Sequence, residues 1–222
     1  MPGKITSLRL QRHTRDRVNV SLDGQYAFSL HATLAAGLHK GQELTDEEID
    51  QLRERDTGER AYERALHYLS FRPRSVWEVR RYLRKRGVAS ASIDLALGRL
   101  RRAGLVDDDR FARFWVENRE SFRPRGKRSL RAELWQKGIA AEIIDSVVDG
   151  IDEEASAMNA ARRRARRLGR LDQGEFRRRL EAFLRRRGFG SEVSRSVTSR
   201  VWNESAGQQE TNLEQRAWPD NR

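Results

Sequence analysis

Three adjacent aspartates, Asp107-Asp108-Asp109, are the densest carboxylate cluster in the chain and the first place to look for metal-assisted chemistry. Consecutive residues on a helix do not share a face, so the three carboxylates cannot converge on one ion. Acidic side chains at a helix start cap free N–H groups and complement the helix dipole, and the cluster is expected to do that. The four histidines, His13, His31, His39 and His67, are scattered without ligand spacing. There is no cysteine, which excludes disulfides and thiolate metal sites. No glycine-rich loop ends in Gly-Lys-Ser/Thr, so there is no phosphate-cradling P-loop. Gly188-Phe189-Gly190 is a lone Gly-x-Gly and reads as a helix stop. The expectation is no catalytic residue, no metal and no cofactor.

The residues that could do chemistry are arginines, and that chemistry is the holding of anions. A guanidinium forks onto phosphate or carboxylate and stacks on bases. Arg72 and Arg74 flank a proline; Arg80, Arg81, Arg84, Lys85 and Arg86 follow, and then Arg99, Arg101 and Arg102. Arg123, Arg125, Lys127, Arg128 and Arg131 surround a second proline. Arg162, Arg163, Arg164, Arg166 and Arg167 form the densest run, with no acid between residues 162 and 170. Arg177, Arg178, Arg179, Arg185, Arg186 and Arg187 come next. A charge run can be simply a solvated helix face, but like charge this concentrated costs stability unless a partner neutralises it. The net charge is +12, and its distribution is uneven. Residues 1–60 carry 9 basic and 10 acidic side chains, whereas residues 61–203 carry 34 and 19. A polyanionic or acidic partner, nucleic acid above all, is therefore expected on the second segment. Trp77, Trp115 and Trp135 lie beside Leu and Phe at helical positions and are expected to be partial core, with base stacking as the alternative.

Elements of fixed period must carry these arginines. Ser70-Phe71-Arg72-Pro73-Arg74 returns unchanged as Ser121-Phe122-Arg123-Pro124-Arg125, an offset of 51 residues. Leu83 and Gly87 return as Leu134 and Gly138 at that offset, and Leu184 and Gly188 lie 50 residues further on. Such periodicity marks a helical module used in series, which makes an elongated binding surface rather than a cavity. Each module reads as three helices. In the first, Tyr62, Ala65, Leu66 and Leu69 form an apolar stripe, the Pro73 turn stops it, and Ser75 with Glu78 caps a second helix. Phe71 and Phe122 are expected to pack each turn against the next helix. The predicted modules are residues 59–106, 107–153 and 154–203, with a polar, disordered tail over 204–222. Ahead of them, Val18 to Leu22 and Tyr26 to Leu30 alternate around Asp23-Gly24, a strong hairpin signal, and Ile5 to Gln11 offers a third strand. A short helix is expected over 31–38, and a second from the Thr45/Glu48 capping box to about residue 55, broken at Asp56-Thr57-Gly58. The fold class is thus mainly α: three tandem three-helix repeats behind a small β-hairpin/helix element. No stretch approaches the ~20 apolar residues of a membrane span, and Met1 to Ile5 lacks a signal-peptide core, so a cytoplasmic protein is expected.

Several pieces together resemble the RecX family of regulatory proteins: Asn19-Val20-Ser21-Leu22-Asp23-Gly24, Arg72-Pro73-Arg74-Ser75 with Glu78 and Leu83, Gly104-Leu105-Val106-Asp107-Asp108 with Phe111-Ala112, and Gly126 to Gly138 with Glu133-Leu134. The resemblance runs from Ile5 to about Trp202. It implies tandem three-helix repeats without catalytic residues or metal. It also implies binding to the RecA recombinase filament, usually with inhibition of its ATPase and strand exchange, through a basic module in the filament groove. Single-stranded DNA, and duplex DNA more weakly, would be the nucleic-acid partner of a monomer. A free-standing DNA-binding protein of helix-turn-helix type is the alternative, but here basic charge spreads over several helices instead of one recognition helix. The third module departs from the pattern, with Leu171-Asp172-Gln173-Gly174 where the proline turn would fall.

Overall fold

The computed structural model describes residues 2–12, 14, 16–168 and 171–217, with side chains as far as residue 204. Strands β2 (Arg17–Leu22) and β3 (Gln25–His31) form the expected hairpin. Its Asp23 and Gly24 take φ of 48° and 86°, the turn handedness that matches strand twist. β1 (Gly3–Leu10) adds to β2, and a two-residue β4 (Glu43–Leu44), too short to leave a pattern, adds to β1. The sheet order is β3-β2-β1-β4. One face buries Ile5, Val20, Leu22, Phe28 and Leu30 against Ala35, Leu44 and Ile49. The helix predicted over 31–38 is the single turn α1 (Ala32–Ala35).

The break expected at Asp56-Thr57-Gly58 is absent. One helix, α2 (Asp46–Leu69), starts at the predicted Thr45/Glu48 capping box and runs through those three residues. The reason is Asp56, which is buried. Its carboxylate accepts from Arg17 (2.9 and 3.2 Å) and from the His31 backbone N–H (2.7 Å), and pairs with Arg60 (3.1 Å). A polar residue that looks like a helix stop is therefore the tie between sheet and helix. Ile49 of α2 packs under the sheet while Ala65, Tyr62, Leu66 and Leu69 join the first helical core. Residue 58, the expected end of the N-terminal element, lies inside this shared helix.

Three helical layers follow. The second half of α2, α3 (Val76–Lys85) and α4 (Ser90–Arg102) enclose Ala65, Val79, Leu83, Ile93, Leu97, Leu100 and Val106. α5 (Asp108–Phe122), α6 (Lys127–Gln136) and α7 (Ala141–Val148) enclose Phe111, Val116, Leu130, Leu134, Ile139, Ile144 and Val148. α8 (Glu153–Ala165), α9 (Gln173–Arg186) and α10 (Ser191–Ala217) enclose Ala157, Ala161, Phe176, Leu180, Leu184, Val197 and Val201. Each core is built on the leucine of the repeat, fully buried at Leu83, Leu134 and Leu184. Three of the predicted stops, Gly87, Gly138 and Gly188, carry φ of 75°, 73° and 87°, a conformation only glycine adopts without strain.

α10 runs past residue 203 to Ala217, where a structureless tail is expected. Glu, Gln and Ala, which recur there, favour helix intrinsically even without an apolar stripe. Residues 218–222 of that expected tail lie outside the described residues. By packing the chain divides into two compact units, Met1–Asp107 and Asp108–Arg222, so the second and third helical layers share a unit.

Candidate nucleic-acid interface

The structure sorts the arginines by whether a carboxylate already holds them. Arg72 bonds Glu78 bidentately (2.8 and 3.2 Å), Arg80 pairs with Asp94 (2.7 Å), and Arg162 bonds Glu204 (2.9 and 3.0 Å). Arg131 reaches Asp145 (3.3 Å) and Asp149, while Arg178 and Arg179 share Glu175. Arg125 lies 3.6 Å from Glu133, which also serves Arg119 (2.7 Å) and the Trp115 indole N–H (2.8 Å). Hydrogen bonding to Glu204 raises the Arg162 pKa, and the same bond holds the Glu204 carboxyl below its ordinary range. In contrast Arg84, Lys85, Arg128, Arg166, Arg167, Arg177, Arg185 and Arg186 are exposed and meet no carboxylate among the described residues. Asp107, Asp108 and Asp109 stand at the start of α5, and Asp109 bonds Arg113 one turn on (2.8 Å). Asp108 and Asp109 lie in the first turn of α5, where their charge complements the helix dipole.

The first proline turn is closed upon itself. Ser75 and Glu78 form a capping box at the start of α3, and the Glu78 carboxylate that completes it also receives Arg72. Arg74 lies over the Tyr68 ring (4.0 Å to the centroid), which is itself stacked on Tyr82. Pro73 is exposed.

The second turn is built otherwise. The residues 51 positions after Ser75 and Glu78 are Gly126 and Ser129, so the carboxylate that would neutralise Arg123 is missing. The glycine is required by a close approach. A Cβ on Gly126 would stand 2.2 Å from the Gly188 carbonyl oxygen, and one on Gly188 would stand 2.1 Å from the Ser129 hydroxyl. The end of α9 therefore seats directly on the start of α6, and Gly126 N–H donates to the Arg187 carbonyl (3.0 Å). Pro124 is buried, and its carbonyl accepts from the Arg187 guanidinium (3.1 Å). From α8, Arg163 donates to the Ser121 and Phe122 carbonyls (3.2 and 3.3 Å). Phe183 carries Arg187 on its ring (4.6 Å) and Arg164 more distantly (5.7 Å).

These groups line a concavity of about 290 Å³, bounded by Phe122, Pro124, Ala160, Arg163, Arg164, Arg167, Phe183 and Arg187, with no acid among them. Burial pushes the Arg187 guanidinium below its ordinary value, and the charges of Arg125, Arg123 and Arg163 push the same way. The Nε atoms of Arg125 and Arg164 are buried without a hydrogen-bond partner. The arrangement can bind an anion and is poorly suited to anything else.

Two aromatic expectations are corrected. Phe71 and Phe122 do not pack their turns; they are 70% and 76% exposed, because each turn throws the ring outward. Phe71 stands edge-to-face with the His67 ring, 5.0 Å between centroids, whereas Phe122 rims the arginine concavity. Trp115 is core, as expected, but Trp135 is 68% exposed on α6. Phe183 was harder to see from sequence, because it reads as ordinary core; Arg187 stands in the arginine run already named. His31 does not stand alone as its spacing suggests. Its Nε2 faces Glu63 at 2.7 Å, with Asp16 close by, and its Nδ1 caps α1 at Thr33. The cap and the Glu63 contact account for this group.

Comparison with known proteins follows the same division of the chain. A family model described as "Regulatory protein RecX N-terminal domain" matches residues 3–45. Models for the first, second and third three-helix domains of RecX match residues 61–100, 107–148 and 152–198. A protein named Regulatory protein RecX from Lactobacillus johnsonii is 33% identical over 206 residues, covering 90% of this chain and 76% of that protein. One of the same name from Listeria monocytogenes is 29% identical, covering 90% and 77%. A solved structure titled "Crystal structure of regulatory protein RecX" superposes with a TM-score of 0.71 at 26% identity, covering 89% of this chain and 99% of that one. The RecX structure from Lactobacillus salivarius, at 21% identity and a TM-score of 0.57, shares the fold. Among the described residues no helix is long and apolar enough to cross a membrane.

Proposed function

The chain belongs to the RecX family of regulatory proteins, and from that premise we propose that it regulates the RecA recombinase without catalysing a reaction. It binds the RecA–single-stranded DNA filament and lowers its ATP turnover and strand exchange. It acts as a cytoplasmic monomer, and duplex DNA is a weaker partner. The single observation that carries the reading is the group of guanidiniums on α8, α9 and the second proline turn, brought together with no carboxylate lining the concavity between them.

Arg123, Arg163, Arg164, Arg166 and Arg167 lead the contact surface, with Arg177, Arg185 and Arg186 beside them on α9. Arg84 and Lys85 on α3 and Arg128 on α6 supply further exposed charge. Arg72, Arg80, Arg131, Arg162 and Arg178 stand behind these, because a partner must first displace a carboxylate. Binding across neighbouring recombinase subunits hinders the conformational cycling that ATP turnover requires. Inhibition is then steric and electrostatic.

The basic side chains are spread over α3, α6, α8 and α9, which suits backbone phosphates rather than base-edge readout by one helix. The test is ATP hydrolysis by a RecA filament on single-stranded DNA, titrated with this protein. Turnover should fall to a plateau. Unchanged turnover at saturating protein contradicts the reading, and strong preference for one duplex sequence would favour a transcription factor instead.

A further inference from the structure

We propose that the concavity beside Phe122 is a site for one nucleotide of single-stranded nucleic acid, with a backbone phosphate among Arg163, Arg167 and Arg187 and the attached base on the Phe122 ring. The inference rests on the DNA-contact reading above and assigns it a place and a chemistry.

Four observations lead there. The first is held geometry. Arg163 is fixed by two turn carbonyls, and Arg187 by the Pro124 carbonyl and the Phe183 ring. Each guanidinium has five N–H donors, so both keep donors for a ligand while their orientation is already set. The second is unmatched charge: no carboxylate lines the cavity, and the buried Arg164 Nε has no partner. The third is size. About 290 Å³ lies at the small end of ligand clefts, enough for a phosphate and sugar but not for a folded segment. The fourth is Phe122, an aromatic ring 76% exposed at the rim of the cationic cavity. A carboxylate from an acidic protein would satisfy the guanidiniums but leave the ring unused. A nucleotide uses both. The strand must be single, because a base within a duplex is already paired and stacked and has no free face to lay on a side chain.

The first proline turn shows why the residues alone are insufficient. Phe71 is as exposed as Phe122, but Arg72 beside it is bonded by Glu78 and Arg74 lies over the Tyr68 ring, so the guanidiniums of that turn are already engaged.

The experiment uses the full chain and fluorescein-labelled dT20, followed by anisotropy across a salt series, with an abasic 20-mer and poly-glutamate as competitors. Phe122→Ala should weaken dT20 binding about tenfold through lost stacking and leave abasic binding unchanged. Arg167→Glu should weaken both oligonucleotides and flatten the salt dependence by about 0.7 for each phosphate no longer neutralised. Arg113→Gln, which removes one positive charge at the Asp109 pair, outside the lining of the concavity, should match the wild type. Urea melts should show all three variants folded. The site assignment is overturned if Phe122→Ala and Arg167→Glu bind dT20 like the wild type. It is also overturned if Phe122→Ala weakens abasic binding equally, or if poly-glutamate competes as well as dT20. Wild-type protein that leaves RecA ATP turnover unchanged defeats the regulatory reading instead, and the dT20 comparison judges the site either way.

Discussion

The turns Phe71-Arg72-Pro73-Arg74 and Phe122-Arg123-Pro124-Arg125 are identical in sequence and opposite in use. Around the first, Glu78 takes Arg72, Tyr68 takes Arg74, and Pro73 faces solvent. Around the second, Gly126 and Ser129 replace the cap and the carboxylate, Pro124 is buried, and the end of α9 closes in with Arg187. At the first turn Arg72 is held by a carboxylate; the second gathers positive charge from α8 and the end of α9 with no acid lining the space between. An identical pentapeptide therefore does not define a site. What differs lies a few residues downstream and in what packs across the turn.

The largest effect should be common to both copies. Leu83 and Leu134 are fully buried in corresponding layers, so Leu83→Ala and Leu134→Ala should each cost about 2–5 kcal/mol in urea melts. A loss at only one of them would break the structural equivalence on which the comparison rests. Next in size is an exchange at the cap position. Gly126→Ser forces a Cβ into the Gly188 carbonyl and should cost roughly 1–3 kcal/mol as overpacking. The reciprocal Ser75→Gly loses a side-chain cap and should cost only a few tenths of a kcal/mol, roughly, in the same melts. Equal costs would mean that the second turn is no more tightly seated than the first. The smallest effect concerns arginines held elsewhere. Hydrogen bonds from Arg178 and Arg179 hold the Glu175 carboxyl below its ordinary 4.5, and the Arg162 bond does the same for Glu204. A depressed carboxylate stabilises the fold above its ordinary pKa, and that contribution fades as pH falls through the lowered value. Thermal melts should be flat from pH 7 to 5 and decline below 4.5. A decline already complete at pH 5 would remove these pairs from the account.

Much of the fold was legible because periodicity and punctuation agree with packing. The hairpin at Asp23-Gly24, the Thr45 and Ser75 capping boxes, and the glycines ending α3, α6 and α9 all stand where local physics puts them. The misreading at Asp56 has a clear cause: its helix-breaking character is overridden by Arg17 and His31, which arrive from the sheet. The site was legible as composition but not as geometry. Runs of arginine named the chemistry, yet sequence could not tell Arg162, spoken for by Glu204 some forty residues on, from Arg163 beside it. Nor could it place Phe122 outside the core, since an aromatic after a helix ordinarily packs inward.

The most direct test exchanges the same residue at the two turns: Arg72→Ala against Arg123→Ala, measured for stability, for dT20 affinity and for suppression of RecA ATP hydrolysis. Arg72→Ala takes the guanidinium from the buried Glu78, leaving it the Ser75 cap, and should cost roughly 1–3 kcal/mol of stability with binding and suppression near wild type. Arg123→Ala should leave stability near wild type and lose affinity and suppression together. Equal losses of binding at the two turns, or full suppression by Arg123→Ala, would contradict the account.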